Sequence, residues 1–184
     1  PVMFMKATSS VIGPDADVVL PRIAPHRVDA EAELAVVIGK TARDVSEAQA
    51  LDHVLGYTCA NDVSARDCQR GDEQWCRAKS FDTFCPLGPW IETELDPAAC
   101  SIRGRVGGDT LQDSHTGLLV FSVTYLISYL SSGMTLQPGT VILTGTPGGV
   151  GSARTPPRYL KPGELLEVEI GGIGTLRNRV VPSP

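Results

Sequence analysis

The run Val28–Lys40, VDAEAELAVVIGK, constrains the fold more than any other stretch of the chain. Its first half alternates, with Asp29, Glu31 and Glu33 on one face of an extended strand and Val28, Ala30, Ala32 and Leu34 on the other. From Leu34 to Ile38 both faces are apolar. Such a pattern predicts one strand that starts at a polar edge and runs into a core covered on both sides.

Around that strand the chain reads as turn-rich, with 19 Gly and 14 Pro in 184 residues. The opening predicts short strands separated by a turn at Gly13–Pro14–Asp15. Ser46 is placed to cap a helix through Leu55, with Gly56 as its stop. GYTCAND predicts a buried strand ending on Asn61 and Asp62, followed by a polar functional loop with a helical turn over Val63–Thr83. GPWIET reads as a strand, and Gly107–Gly108–Asp109 as the turn of a hairpin between Ile102–Val106 and Leu111–Gln112. LLVFSVTYLISYLSS has helical spacing up to Gly133. TVILTGTPGGVGS is a buried strand entering a glycine-rich loop, and ELLEVEI with TLRNRVV forms a closing hairpin around Gly171–Gly172. Two helices and eight or more strands make the expectation a β-rich α+β fold, one domain over residues 1–184.

Several function classes are excluded at this level. Lys and Arg number 16 against 21 Asp and Glu, a net charge of 16 − 21 = −5, and no basic block suits nucleic acid or an anionic membrane. The longest apolar stretch, Gly117–Leu130, is interrupted by Ser122, Thr124 and Ser128 and is too short to span a bilayer. Cys59, Cys68, Cys76, Cys85 and Cys100 form no CxxC pair and lie apart from His26, His53 and His115, so reduced, buried thiols in a cytoplasmic protein are expected. TGTPGGVG lacks the Lys-Ser/Thr of a phosphate-binding loop, and no histidine has a Ser or Cys partner at a triad spacing. The chain opens at Pro1, which is no initiator, so a processed or truncated start is expected.

The acidic face at Asp29–Glu33 suits a solvated edge strand, in which water screens the mutual repulsion. It also admits a cation site, because Glu33 leads directly into buried backbone and a buried carboxylate needs a partner. Asp62, also a carboxylate at the end of a buried strand, can complete an oxygen-only set, which favours Mg²⁺, Mn²⁺ or Ca²⁺ over zinc.

Taken in order, VDAEAELAVVIGK, GYTCANDVSARDCQ, WCRAKSFDTFCPLGPW, SYLSSGMTLQPGTVILTGTPGGVG and GIGTLRNRV resemble the fumarylacetoacetate hydrolase family from about Phe4 to Val180. The resemblance implies a mixed β-roll or barrel, a homodimer and a divalent-metal site acting on a small-molecule 2-oxo acid or β-dicarbonyl. Implied activities are C–C hydrolysis of acylpyruvates first, with oxaloacetate decarboxylation or hydroxydienedioate isomerisation as alternatives. It assigns the metal to Glu31, Glu33 and Asp62, with Asp29 beside them or in solvent. Arg66 and Gln69 would lie over the substrate, and Thr146 with its loop backbone would approach the substrate carboxylate. Lys79 would act electrostatically beside the metal, with Thr83 joining the same network. Family members also carry an upstream lid with a His–Glu pair that activates water; the block beginning FMKATSS follows that segment, so the present sequence is expected to lack it. A non-catalytic metal-binding domain is the reading from another class.

Overall fold

A computed structural model describes all of residues 1–184. Strands β1 (Val11–Ile12), β2 (Val18–Leu20), β3 (Val28–Asp29), β4 (Ala32–Ile38), β5 (Val54–Asn61) and β6 (Ser64–Ala65) precede two short helices, α1 (Arg66–Gly71) and α2 (Cys76–Lys79). Then come β7 (Cys85–Glu92), β8 (Ser101–Val106), β9 (Asp109–His115), α3 (Val123–Gly133), β10 (Val141–Leu143), β11 (Leu165–Ile170) and β12 (Gly174–Pro182). This is the β-rich α+β arrangement that the turn-rich sequence predicts.

Two five-stranded sheets form, in the orders β1-β7-β5-β4-β10 and β2-β12-β11-β8-β9, while β3 and β6 make a separate pair. The sheets face each other. Leu34, Val36 and Ile38 of β4 and Tyr57 and Cys59 of β5 pack with Ile102, Val168, Ile170 and Leu176 from the second sheet. Val123 and Ile127 of α3 close the same core. Ser122 accepts the Tyr125 N–H at 3.0 Å and fixes where that helix starts. A second core, with Val18, Val28, Val63, Phe84 and Val180, lies under the short helices.

The strand expected over Val28–Ile38 is broken at Ala30–Glu31. The Glu31 N–H donates to Asn61 Oδ1 at 3.1 Å and its carbonyl accepts the Asp62 N–H at 2.9 Å. Val28 and Asp29 pair instead with Ala65 and Ser64. Tertiary partners therefore override an unbroken local pattern. The segment after Ser46 winds as a 3₁₀ helix over Glu47–His53 and stops short of Leu55, because Val54 is drawn into β5 opposite Ile38. Ser46 Oγ meets Gln49 Oε1 at 2.8 Å and caps no backbone amide. Four cysteines are buried, as expected, but Cys76 is exposed at the start of α2. No helix is long and apolar enough to cross a membrane.

Candidate metal centre

The antiparallel register of β4 and β5 sets Ala32 opposite Asn61. Glu31 and Glu33 flank Ala32 while Asp62 follows Asn61, so three carboxylates converge from two strand ends. One oxygen from each lies within 4.8 Å of the others, and all three residues are buried. Hard oxygen donors at this separation suit a divalent cation of the Mg²⁺, Mn²⁺ or Ca²⁺ type.

The same carboxylates are braced by the chain's own cations. Lys79, the last residue of α2, donates from Nζ to Glu31 Oε2 at 2.7 Å and to Asp62 Oδ2 at 2.6 Å. Lys6 donates to Asp62 Oδ1 at 2.6 Å and to the Lys79 carbonyl at 2.5 Å. Arg66, at the start of α1, donates from Nε to Asp29 at 2.6 Å, from Nη2 to Glu31 at 2.5 Å and from Nη1 to Gln69 at 2.8 Å. Glu33 alone among these acids has no ion pair; its Oε2 accepts the Gly145 N–H at 2.6 Å. With every group ionised, Asp29, Glu31, Glu33 and Asp62 against Lys6, Arg66 and Lys79 leave 3 − 4 = −1. A buried net charge of that sign draws a cation, so the donor set fits the metal that the resemblance implies.

Proton affinities follow from these surroundings. Burial raises the Glu33 carboxyl well above the ordinary range, and the charges of Asp62 and Glu31 add to the rise. Burial works against the Lys79 ammonium, yet the attraction of Asp62 and Glu31 outweighs it and holds its pKa above the usual lysine value. Arg66 shows the same balance, with burial opposed and overcome by Asp29 and Glu31. Lys79 is thus a fixed positive charge beside the carboxylates.

Several expected placements change. Of the two places expected for Asp29, the one beside the ligand set holds and the solvated one does not: it is 1% exposed, shares Arg66 with Glu31, and its second oxygen accepts the Ser152 N–H at 2.7 Å. Its place on one face with Glu31 carried that signal already. Arg66 directs Nε and Nη2 to the Asp29 and Glu31 carboxylates and Nη1 to Gln69. Gln69 sits against Arg66, away from the cavity wall. Thr83 stands outside the network, because its hydroxyl accepts the Val19 N–H at 2.9 Å. Thr146 does line the site, but its hydroxyl donates to the Ala32 carbonyl at 2.9 Å and accepts from Gln112 Nε2 at 2.7 Å. Lys6 went unforeseen; it lies 56 residues from Asp62, and nothing local marks it.

A cavity of about 540 Å³ opens beside Glu33 and Thr146. Leu34, Leu143, Leu118 and Phe121 give it apolar walls, and Phe4 of the opening segment also lines it. Phe4 additionally presents its ring to Lys79 Nζ at 5.1 Å from the centroid. His115 reaches the rim, its Nδ1 accepting the Gly117 N–H at 3.1 Å. Beyond Gly148 the loop presses backbone on backbone. Gly149, at φ +105°, lies against the Leu111 carbonyl, and Gly151 against the Arg158 carbonyl, where a Cβ would collide.

Residues 1–181 match the family profile described as fumarylacetoacetate (FAA) hydrolase C-terminal. An uncharacterised protein of Archaeoglobus fulgidus is 53% identical over 181 residues, which cover 98% of this chain and 69% of that protein. The mitochondrial oxaloacetate tautomerase fahd2 of Xenopus laevis is 48% identical, with 98% of this chain matching 58% of the relative. The chain therefore spans about three fifths to seven tenths of the length of these relatives. Among solved structures, 5-carboxymethyl-2-hydroxymuconate delta-isomerase from Mycobacterium smegmatis superposes with a TM-score of 0.94 at 48% identity, covering 100% of this chain and 70% of that one. Fumarylacetoacetate hydrolase from Exiguobacterium antarcticum superposes at 0.96 with 44% identity, covering 99% and 66%. Matched along nearly its whole length in sequence and in fold, this chain belongs to the fumarylacetoacetate hydrolase family.

Proposed function

We propose that the chain carries the reaction centre of a divalent-metal-dependent enzyme that converts a 2-oxo acid or β-dicarbonyl compound through an enolate, with keto–enol isomerisation as its reaction. The observation that carries this reading is the meeting of Glu31, Glu33 and Asp62 within 4.8 Å beside an apolar-walled cavity. Mg²⁺ or Mn²⁺, and less aptly Ca²⁺, fits this oxygen set. Bound there, the ion supplies Lewis-acid stabilisation of negative charge on an enolate oxygen. The chain's own groups prepare that environment. Lys79 holds a positive charge beside the carboxylates, Arg66 fixes Glu31, and the Gly145 amide orients Glu33. Leu34 and Leu143 lower the local dielectric, which strengthens each of these interactions.

Isomerisation asks for enolate stabilisation and a proton carrier, whereas C–C hydrolysis also needs a base that activates water. The isomerase and tautomerase names of relatives near half identity support the first. The close superposition on a fumarylacetoacetate hydrolase keeps acylpyruvate hydrolysis as a second reading. An ultraviolet assay over oxaloacetate, hydroxydienedioates and acylpyruvates separates them, run with and without Mn²⁺. Mn²⁺-dependent keto–enol exchange that disappears in Glu33→Gln is the expected result. A flat response across the panel would sink the enzymatic reading and leave a metal-binding domain.

A homodimer accompanies this reading. Leu118 and Val120 stand 76% and 88% exposed at the cavity's edge, which suits coverage by a second copy. Light scattering should give twice the chain mass of 19.5 kDa; a monomer mass would refute the dimer.

A further inference from the structure

Gln112, in β9, is buried, and its amide bonds two neighbouring segments, the start of β4 and the loop after β10. The Ala32 N–H donates to Gln112 Oε1 at 3.0 Å. Gln112 Nε2 donates to Thr146 Oγ1 at 2.7 Å and to the Pro147 carbonyl at 2.8 Å. The Thr146 hydroxyl then donates to the Ala32 carbonyl at 2.9 Å, which closes a ring. An N–H on one side and a carbonyl on the other fix the amide's orientation without ambiguity. Room for it comes from Gly104, opposite in β8, where a Cβ would stand 2.7 Å from Gln112 Oε1 and 3.1 Å from the Ala32 side chain.

Ala32 sits between Glu31 and Glu33, so the ring grips the backbone that carries two of the three carboxylates. Its other side grips Thr146 and Pro147, next to Gly145, whose N–H holds Glu33 Oε2. An apolar side chain would fill this buried space at lower desolvation cost, so packing alone does not call for an amide here.

We propose that Gln112 is a positioning residue that locks the Glu31–Glu33 strand to the loop 144–148, fixing the distance between the carboxylates and the cavity wall on which a substrate rests. What the lock serves rests on the enolate-enzyme reading; the lock itself does not. It acts through Ala32 and Thr146 and touches no reacting atom.

The test uses the full chain with Gln112→Met, which keeps the volume and removes the amide. Gln112→Glu is its partner, keeping an acceptor for Ala32 while losing both donors to the loop. Mn²⁺ binding is read by electron paramagnetic resonance, and oxalate, a planar enolate mimic, is titrated onto the Mn²⁺-loaded chain. In both variants Mn²⁺ affinity should stay within about threefold, while oxalate affinity falls about tenfold, the size expected for lost buried hydrogen bonds. Amide hydrogen exchange over 143–149 should quicken about tenfold or more with β11 and β12 unchanged. Unchanged oxalate affinity and exchange would overturn the proposal. So would a uniform loosening of all strands together with loss of Mn²⁺, which marks an ordinary core residue. If Gln112→Met does not fold, Gln112→Glu decides. If the parent chain binds neither Mn²⁺ nor oxalate, the enzymatic reading falls, and selective loosening of 143–149 alone decides the lock.

Discussion

On the outer face of β8, β11 and β12, Arg105 meets Glu169 at 2.7 Å and Arg177 meets Glu167 at 2.9 Å, with Arg103 between Asp113 and Glu169. Inside, between the ends of β4 and β5, Lys79 meets Glu31 and Asp62 at much the same distances. The outer pairs stand directly or diagonally opposite across antiparallel strands and are wet, so they favour register and contribute little each. The inner groups are dry, and each would be costly without its partners. Equal distances thus carry unequal consequences, and an expensive buried cluster with one acid left over is what a binding site retains.

Lys79→Met tests the contrast most severely. It strands Glu31 and Asp62 with too few counter-charges, and the metal-free chain should lose about 3–5 kcal/mol in denaturant unfolding. Added Mn²⁺ should restore part of that loss, since it replaces the missing charge. A loss below 1 kcal/mol, measured in the same way, would make the inner cluster no different from the outer face.

Glu33→Gln comes next and should act in the opposite direction. The Glu33 pKa is raised in the folded chain, above the unfolded value of about 4.3. The group's stabilising contribution is therefore complete below that unfolded value and is lost as pH climbs to the folded pKa, because the unfolded chain gives up its proton first. Metal-free Glu33→Gln should lack this decline and exceed the parent by roughly 1 kcal/mol or more at neutral pH, while Mn²⁺ affinity drops sharply. Parallel stability–pH curves for the two proteins would remove Glu33 as the uncompensated acid. The smallest effect belongs to the outer face: Arg105→Gln should cost less than about 1 kcal/mol, and less again in high salt.

How much of this was legible in the sequence depends on how far apart the partners lie. The hairpins of β8–β9 and β11–β12 follow from period-two patterns closed by glycine turns, and both stand where the pattern puts them. The convergence of Glu31, Glu33 and Asp62 was readable because each acid sits at an end of a strongly apolar strand. The break at Ala30–Glu31 was not, since it is dictated by Asn61 and Asp62 from another strand. Lys6 and Gln112 escaped for the same reason: a lone lysine and a glutamine in a hairpin look like surface residues until the fold delivers their partners 56 and 80 residues away. Thr83 misled in the other direction, being near Lys79 in sequence yet turned toward Val19.

The tight seat of Gly149 and Gly151 bears on how such a site can diversify. Any side chain at either position must displace backbone that belongs to β9 or to the segment at Arg158, so variation there disturbs two elements at once. Leu118 and Val120, by contrast, line the cavity from exposed positions where a new side chain meets no such backbone. The two stretches therefore differ in what a change of side chain costs. A substitution at either glycine has to move two stretches of main chain, whereas one at Leu118 or Val120 changes only what faces the cavity and whatever covers its edge.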